Sequence, residues 1–175
     1  MQLTTLEERN RLLATCEREA VHLELRDIYA VHSEAQRFTT FVATGRYEGA
    51  DAPDRRQWLD QIRVLTQAGK RIRRARIVSE PVADYIRFEW AGTEHNVKAG
   101  EDVRWLPRRL ASPMALPGND FWLFDDAAVI FSVFTGNGDL AERQLTTDPT
   151  VVELCRSAFE TVWSAAIPHS EYRPR

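Results

Sequence analysis

The chain has 175 residues, 43% apolar and 28% charged, the make-up of one ordinary globular domain and not of a disordered chain. Lysine and arginine (23) against aspartate and glutamate (26) leave a formal net charge of −3, which argues against a generally nucleic-acid-binding surface. No apolar run approaches the roughly 18 residues of a membrane span, and the first ten residues, MQLTTLEERN, lack the charged front and apolar stretch of a secretion signal. The expectation is therefore one cytoplasmic domain over 1–175. Cys16 and Cys155 lie far apart with no C-x-x-C spacing, and read as small buried hydrophobes.

Thr4 followed by Glu7 reads as a capping box ahead of a first helix through Leu6, Leu12 and Leu13 to about Arg18. From Ala20 to Arg26 apolar and polar residues alternate, which predicts a strand with Val21, Leu23 and Leu25 facing inward. Ser33 to Thr44 is a short helix ended by Gly45, and Arg46 to Pro53 is a polar loop. These residues, 1–45, form an amino-terminal helix–strand–helix segment ahead of a main α/β body over 57–168.

Trp58, Leu59, Ile62, Leu65 and Ala68 make one face of a helix that Gly69 terminates. Arg71 to Val78 reads as a strand. Ser79-Glu80-Pro81 opens the next helix, with Pro81 at its first position and Val82, Tyr85, Ile86 and Trp90 along one side. Val103 to Leu106 is a short strand closed by Pro107, so this stretch is a βαβ unit between parallel strands. Phe121–Phe124 and Val129–Phe134 are two strands apolar on both faces, joined at an Asp125-Asp126 hairpin corner. A last helix, capped by Asp148 with Pro149 just inside, carries a stripe of Val152, Cys155, Phe159, Val162, Trp163 and Ala166. Pro168 stops it, and 169–175 is expected as a flexible tail. The sum is a single α/β domain, a mixed sheet of about five strands with helices on both faces.

Phosphate-cradling, zinc-protease and hydrolase-elbow motifs are missing, and no two of His22, His32, His95 and His169 are spaced as a metal pair on one helix face. Neither a cofactor nor a metal is expected. The strongest local signal is basic: Lys70, Arg71, Arg73, Arg74 and Arg76 can hold phosphate, or pair with nearby acids around a solvated strand end. Alternation divides them, with Arg71 and Arg73 on one face and Lys70, Arg74 and Arg76 on the other. Arg76 sits deep in its strand between Ala75 and Ile77, where an unpaired cation is costly, so a carboxylate or a bound anion should meet it.

In open α/β sheets ligands lie beyond the carboxyl ends of parallel strands. Those ends deliver Ser79 and Glu80 on one side and Arg108 and Arg109 on the other, with the amino end of the Pro81 helix and Tyr85 beside them. Asp120, Asp125 and Asp126 bracket a strand, where paired carboxylates can do acid/base work or simply supply turn chemistry. Trp105 and Trp122 adjoin this crevice. The candidate ligand-binding set is Arg74, Arg76, Ser79, Glu80, Tyr85, Arg108, Asp120, Trp122 and Asp125, with no catalytic residue assigned.

Four stretches, LEERNRLLATCEREAVHLELRDIY, RIRRARIVSEPVADYIRFEW, GEDVRWLPR with NDFWLFDD, and FETVWSAAIPHSEY, together resemble an uncharacterised actinobacterial domain family often encoded beside helix-turn-helix regulators. A strand leading to Phe-Asp-Asp, an apolar strand and a helix ending in Phe-x-x-x-Trp is, more distantly, similar to half of a phospholipase D-like domain. The active pattern there is H-x-K-x-x-x-x-D. Aligned on Asp125, this chain has Gly118 in the place of the nucleophilic histidine and Asp120 in the place of the lysine, so the resemblance implies a catalytically silent relative.

Two functions follow as expectations. One is a non-enzymatic regulatory or accessory protein that binds a helix-turn-helix regulator, a small anionic ligand, or both. The other is a small enzyme, of hydrolase or tailoring type, working from an arginine, tyrosine and aspartate crevice. No helix-turn-helix is evident within the chain, so direct sequence-specific DNA binding is not expected. Neither is a membrane partner, and homodimer formation stays open.

Overall fold

The computed structural model describes residues 1–175. Eight strands form one mixed sheet: β1 (Gln2–Thr4), β2 (Glu19–Glu24), β3 (Arg71–Val78), β4 (Asp102–Pro107), β5 (Asp120–Phe124), β6 (Ala128–Phe134), β7 (Leu140–Thr146) and β8 (Ile167–Pro168). Their spatial order is β1-β7-β6-β5-β2-β3-β4-β8. β2, β3 and β4 run parallel at the centre and every other pairing is antiparallel. The helices are α1 (Leu6–Thr15), α2 (Ala35–Thr44), α3 (Pro53–Gln67), α4 (Asp84–Lys98) and α5 (Pro149–Ala165).

The expected five strands are β2 to β6, and the three additional ones sit at the sheet's edges. β7, second from the edge behind the short β1, is only half-buried, so it carries Glu142, Arg143 and Gln144 in its middle and hides its pattern from a hydrophobic count. β1 and β8 are too short, at 3 and 2 residues, to show any period.

Alternation along the strands sorts the core onto two faces. On one face Val21, Leu23, Ala75, Ile77, Phe121 and Leu123 pack beneath the α5 stripe of Val152, Cys155, Phe159 and Val162. On the other face there are two separate apolar clusters. Leu13 of α1 and Leu59, Ile62 and Leu65 of α3 cover Ile72, Trp122 and Ile130. Further along, Val82, Ile86 and Tyr172 cover Val78, Val103 and Trp105. The belt of sheet between these two clusters is polar, and it holds His22, Glu24, Arg74 and Arg76.

Four local expectations are corrected. The cap of α1 is Thr5, whose hydroxyl accepts from the Glu8 amide, because Thr4 is taken up by β1 pairing. α1 stops at Thr15, since Cys16 turns out to reach β2. Pro81 does not open α4: the Glu80–Pro81 bond is cis and the helix starts at Asp84, with Ala83 as its cap. The 169–175 tail is docked against the sheet. Tyr172 is 2% exposed and stacks on Trp105 at 5.5 Å, while the Val82 amide donates to the Arg175 carbonyl at 2.7 Å.

Candidate functional site

The polar belt is built by register. His22 lies opposite Arg74 and Glu24 opposite Arg76 across the β2–β3 pair, with Trp122 and Trp105 beyond them on either side. Arg74 and Arg76 are buried on this face and share Glu24: Arg74 at 2.6 Å from Oε1, Arg76 at 2.8 Å from Oε2. Each has a second carboxylate from the α4 side, Glu101 for Arg74 at 2.6 Å and Glu89 for Arg76 at 2.5 Å. Asn96 Nδ2 donates to the remaining Glu101 oxygen at 2.6 Å. Close opposite charge outweighs burial and holds Arg74 and Arg76 firmly protonated. His22 stacks on Trp122 at 4.2 Å, and burial, with both arginines beside it, keeps its imidazole neutral.

Arg76 thus meets the carboxylate its burial requires. Arg73, on the opposite face, is buried between Glu19 and Glu160 and lies over the Phe159 ring at 4.9 Å. Arg73, Arg74 and Arg76 are therefore buried in ion pairs while Lys70 and Arg71 lie at the more open start of the strand, and no guanidinium of Arg74 or Arg76 is left to hold an anion.

At the carboxyl ends of the parallel strands, Arg108 ties the loops together. It donates to the Ser79 hydroxyl at 2.9 Å and to the carbonyls of Leu25 and Ile77 at 2.7 and 3.0 Å. Ser79 in turn donates its amide and hydroxyl to Asp27 at 2.7 and 2.6 Å. Glu80 pairs with Arg109 and accepts from the Tyr172 hydroxyl. These candidates come together as predicted, but as a brace between loops.

Asp120 and Asp125 do not meet. They stand at the two ends of β5, roughly 17 Å apart at about 3.4 Å per residue. Asp125 accepts from the amides of Glu17, Arg18 and Glu19 at 2.7–2.9 Å, and both it and Asp126 adopt positive φ, 51° and 56°, in the hairpin turn. Asp125 is a turn and capping residue. Asp120 is 2% exposed, accepting from the Leu25 amide at 2.9 Å and the Tyr29 hydroxyl at 2.5 Å. Burial pushes its carboxyl up to about 6, against the pull of those two hydrogen bonds. Trp122 is buried under α1 and α3, edge-on to Trp58, and is core.

Beside this belt opens a groove of about 440 Å³, walled by Ile28–His32, the start of α2 and the start of α4. Tyr29, Phe38 and Tyr85 form its aromatic wall, with ring centroids 5.5–6.2 Å apart. Glu34 lines it too and accepts from the Tyr85 hydroxyl at 3.1 Å. Burial, with Glu89 nearby, pushes the Glu34 carboxyl up to about 7 and drives the Tyr85 phenol far above its ordinary range. Of the predicted candidates only Tyr85 reaches this groove. The rest of its lining was missed, because the exposure of Ile28 and Val31, 56% and 41%, shows only once the β2–α2 connection is folded.

The fold is phospholipase D-like. It is similar to a phospholipase D family member, Nuc of Salmonella typhimurium, with a TM-score of 0.53 at 12% identity over 94% of this chain and 90% of that one. It is similar also to NucT of Helicobacter pylori, with a TM-score of 0.52 at 9% identity over 95% and 96%. Against the archaeal chromatin protein TrmBL2 the TM-score is 0.47 at 13% identity over 91% of this chain, which spans about half (48%) of that protein. No curated protein is similar enough in sequence to match. Residues 7–174, nearly the whole chain, match one family model, and the protein accordingly belongs to the family described as domain of unknown function DUF6879.

Proposed function

We propose that the chain is a non-enzymatic accessory protein, a phospholipase D-like scaffold turned from catalysis to binding, which serves a helix-turn-helix regulator and takes a small ligand in the Tyr29–Tyr85 groove. One observation carries this reading. Gly118, in the place of the nucleophilic histidine, is an exposed position in front of β5, and Asp120, in the place of the lysine, is buried with both oxygens occupied by Tyr29 and Leu25. Phosphoryl transfer through a covalent enzyme intermediate needs an accessible nucleophile: Gly118 has no side chain, and the Asp120 carboxylate is closed off by burial and its two hydrogen bonds. The anion once expected in the crevice loses its basis, since Arg74, Arg76 and Arg108 all have partners inside the protein.

Two assays test this. Bis(nitrophenyl) phosphate should not be hydrolysed above background, and hydrolysis abolished by Asp120→Asn would overturn the reading. Co-expression with the helix-turn-helix protein encoded nearest to it should give one co-eluting species on size exclusion, and separate elution at micromolar concentration would remove the partner. A second reading, a small enzyme, draws on Glu34: a carboxyl that titrates at about 7 beside an open groove is suited to proton transfer. It requires turnover of a nitrophenyl ester that Glu34→Gln abolishes.

A further inference from the structure

The groove's charge balance identifies what it takes. No lysine or arginine lines the groove, and the arginines whose charge reaches Glu34, Arg37, Arg55 and Arg76, make no ion pair with it. Arg37 makes a forked pair with Asp54 at 2.9 and 3.1 Å. Arg55 donates to the Asn96 amide oxygen at 2.7 Å and to the Gly92 carbonyl. Arg76 is held by Glu24 and Glu89. Glu34 itself is half-buried, has the Tyr85 hydroxyl as its one side-chain partner, and makes no ion pair. At the mouth Asp84 adds a second carboxylate without an ion pair, and the rim histidine, His32, faces Asp139 at 3.5 Å. The walls around these acids are apolar and aromatic, and their volume lies within the range of small-ligand sites, roughly 300–1,000 Å³.

A carboxylate held among aromatic rings, in a groove that no lysine or arginine lines, is matched by a ligand that brings its own positive charge. An ammonium or guanidinium gains Coulombic attraction to the acid and attraction to the electron-rich ring faces at once. An anionic ligand meets repulsion from Glu34 and Asp84, and a purely apolar one leaves the half-buried Glu34 without compensation. We propose that this groove binds an organic amine, a small molecule with an apolar or aromatic body and one protonated nitrogen, whose cationic end sits between Glu34 and the rings of Tyr29, Phe38 and Tyr85. The proposal rests on reading the groove as a ligand site and adds the chemical class of the ligand.

The test is calorimetric titration of the whole chain with three probes of one skeleton: phenylbutylamine, phenylbutanol and phenylbutyrate. The amine should bind tighter than the alcohol by about tenfold or more, the equivalent of one partly desolvated ion pair, and the carboxylate should give no heat. Glu34→Gln should bring the amine down to the level of the alcohol while the alcohol's affinity stays put, which also shows that the variant is folded. Phe38→Leu keeps the lining apolar but removes a ring face, and should weaken the amine more than the alcohol. Equal or tighter binding of the alcohol or the carboxylate overturns the amine class and leaves the groove a ligand site. Silence from all three probes overturns the ligand site itself, and the amine with it.

Discussion

Arg74 and Arg76 were recruited by β3, where two residues on one strand face land about 7 Å apart, close enough to share Glu24 between them. Removing one buried cation leaves its acids facing each other, and that costs more than the pair contributes as a whole. Arg76→Met should therefore destabilise the chain by about 3–5 kcal/mol in urea unfolding, and adding Glu89→Gln should recover part of the loss. An unchanged midpoint would mean that Arg76 carries no buried charge. Asp120 gives a pH signature. Its carboxyl titrates at about 6 in the folded chain against 3.8 ordinarily, so as pH falls through 6 the folded state takes up a proton that the unfolded state does not yet accept. Stability from this residue thus rises on acidification until the unfolded value is reached. Asn resembles the protonated acid and keeps both hydrogen bonds, with Tyr29 accepting instead of donating. Asp120→Asn should raise the melting temperature well above pH 6 and lose that advantage below it; a difference that ignores pH would contradict the assignment.

At the scale of elements, the β5–β6 hairpin and the carboxyl-terminal segment carry the sharpest expectations. Asp125→Ala leaves the amides of Glu17, Arg18 and Glu19 without their acceptor and removes from a positive-φ position the short polar side chain that suits it. A loss of about 1–3 kcal/mol follows, with amine binding untouched because Asp125 lies at the far end of β5 from Asp120 and Tyr29. Deleting 170–175 strips Tyr172 from Trp105 and should cost about 2–3 kcal/mol from lost apolar burial alone. A flexible tail would be removed at no cost. The central elements were legible because each has a strict period: Val21, Leu23 and Leu25 face α5 as the alternation requires, and the α5 stripe falls in one cluster. The Asp148 cap was equally plain, its side chain accepting from the Thr150 amide at 2.8 Å. β7 escaped because a half-buried strand tolerates Glu142 to Gln144, and the docked tail escaped because its partner, Trp105, lies more than sixty positions earlier.

Across the whole molecule, one face of the sheet carries two apolar cores divided by a charged belt, and the groove opens where that belt reaches the surface between the β2–α2 connection and α4. The βαβ pattern, with β3 and β4 parallel and α4 joining them, pointed to the strand ends that the Ser79–Arg108 brace occupies, and of its candidates only Tyr85 reaches the groove. Its chemistry was not legible. The acids that neutralise Arg74 and Arg76 come from Glu24, Glu89 and Glu101, which no local spacing connects to β3, so a basic strand looked free to hold an anion. Once those pairs close, the acids that line the groove without an ion pair are Glu34 and Asp84, and the predicted sign of the ligand reverses. Nuclear magnetic resonance of the isotope-labelled chain titrated with phenylbutylamine tests this most directly, by mapping which amides shift. Binding in the groove predicts that the shifts concentrate at Ile28–Phe38 and Ala83–Tyr85 and that Glu34→Gln erases them. Shifts centred on the Ser79–Arg108 brace or on the Asp125 turn, or none at all, would contradict it.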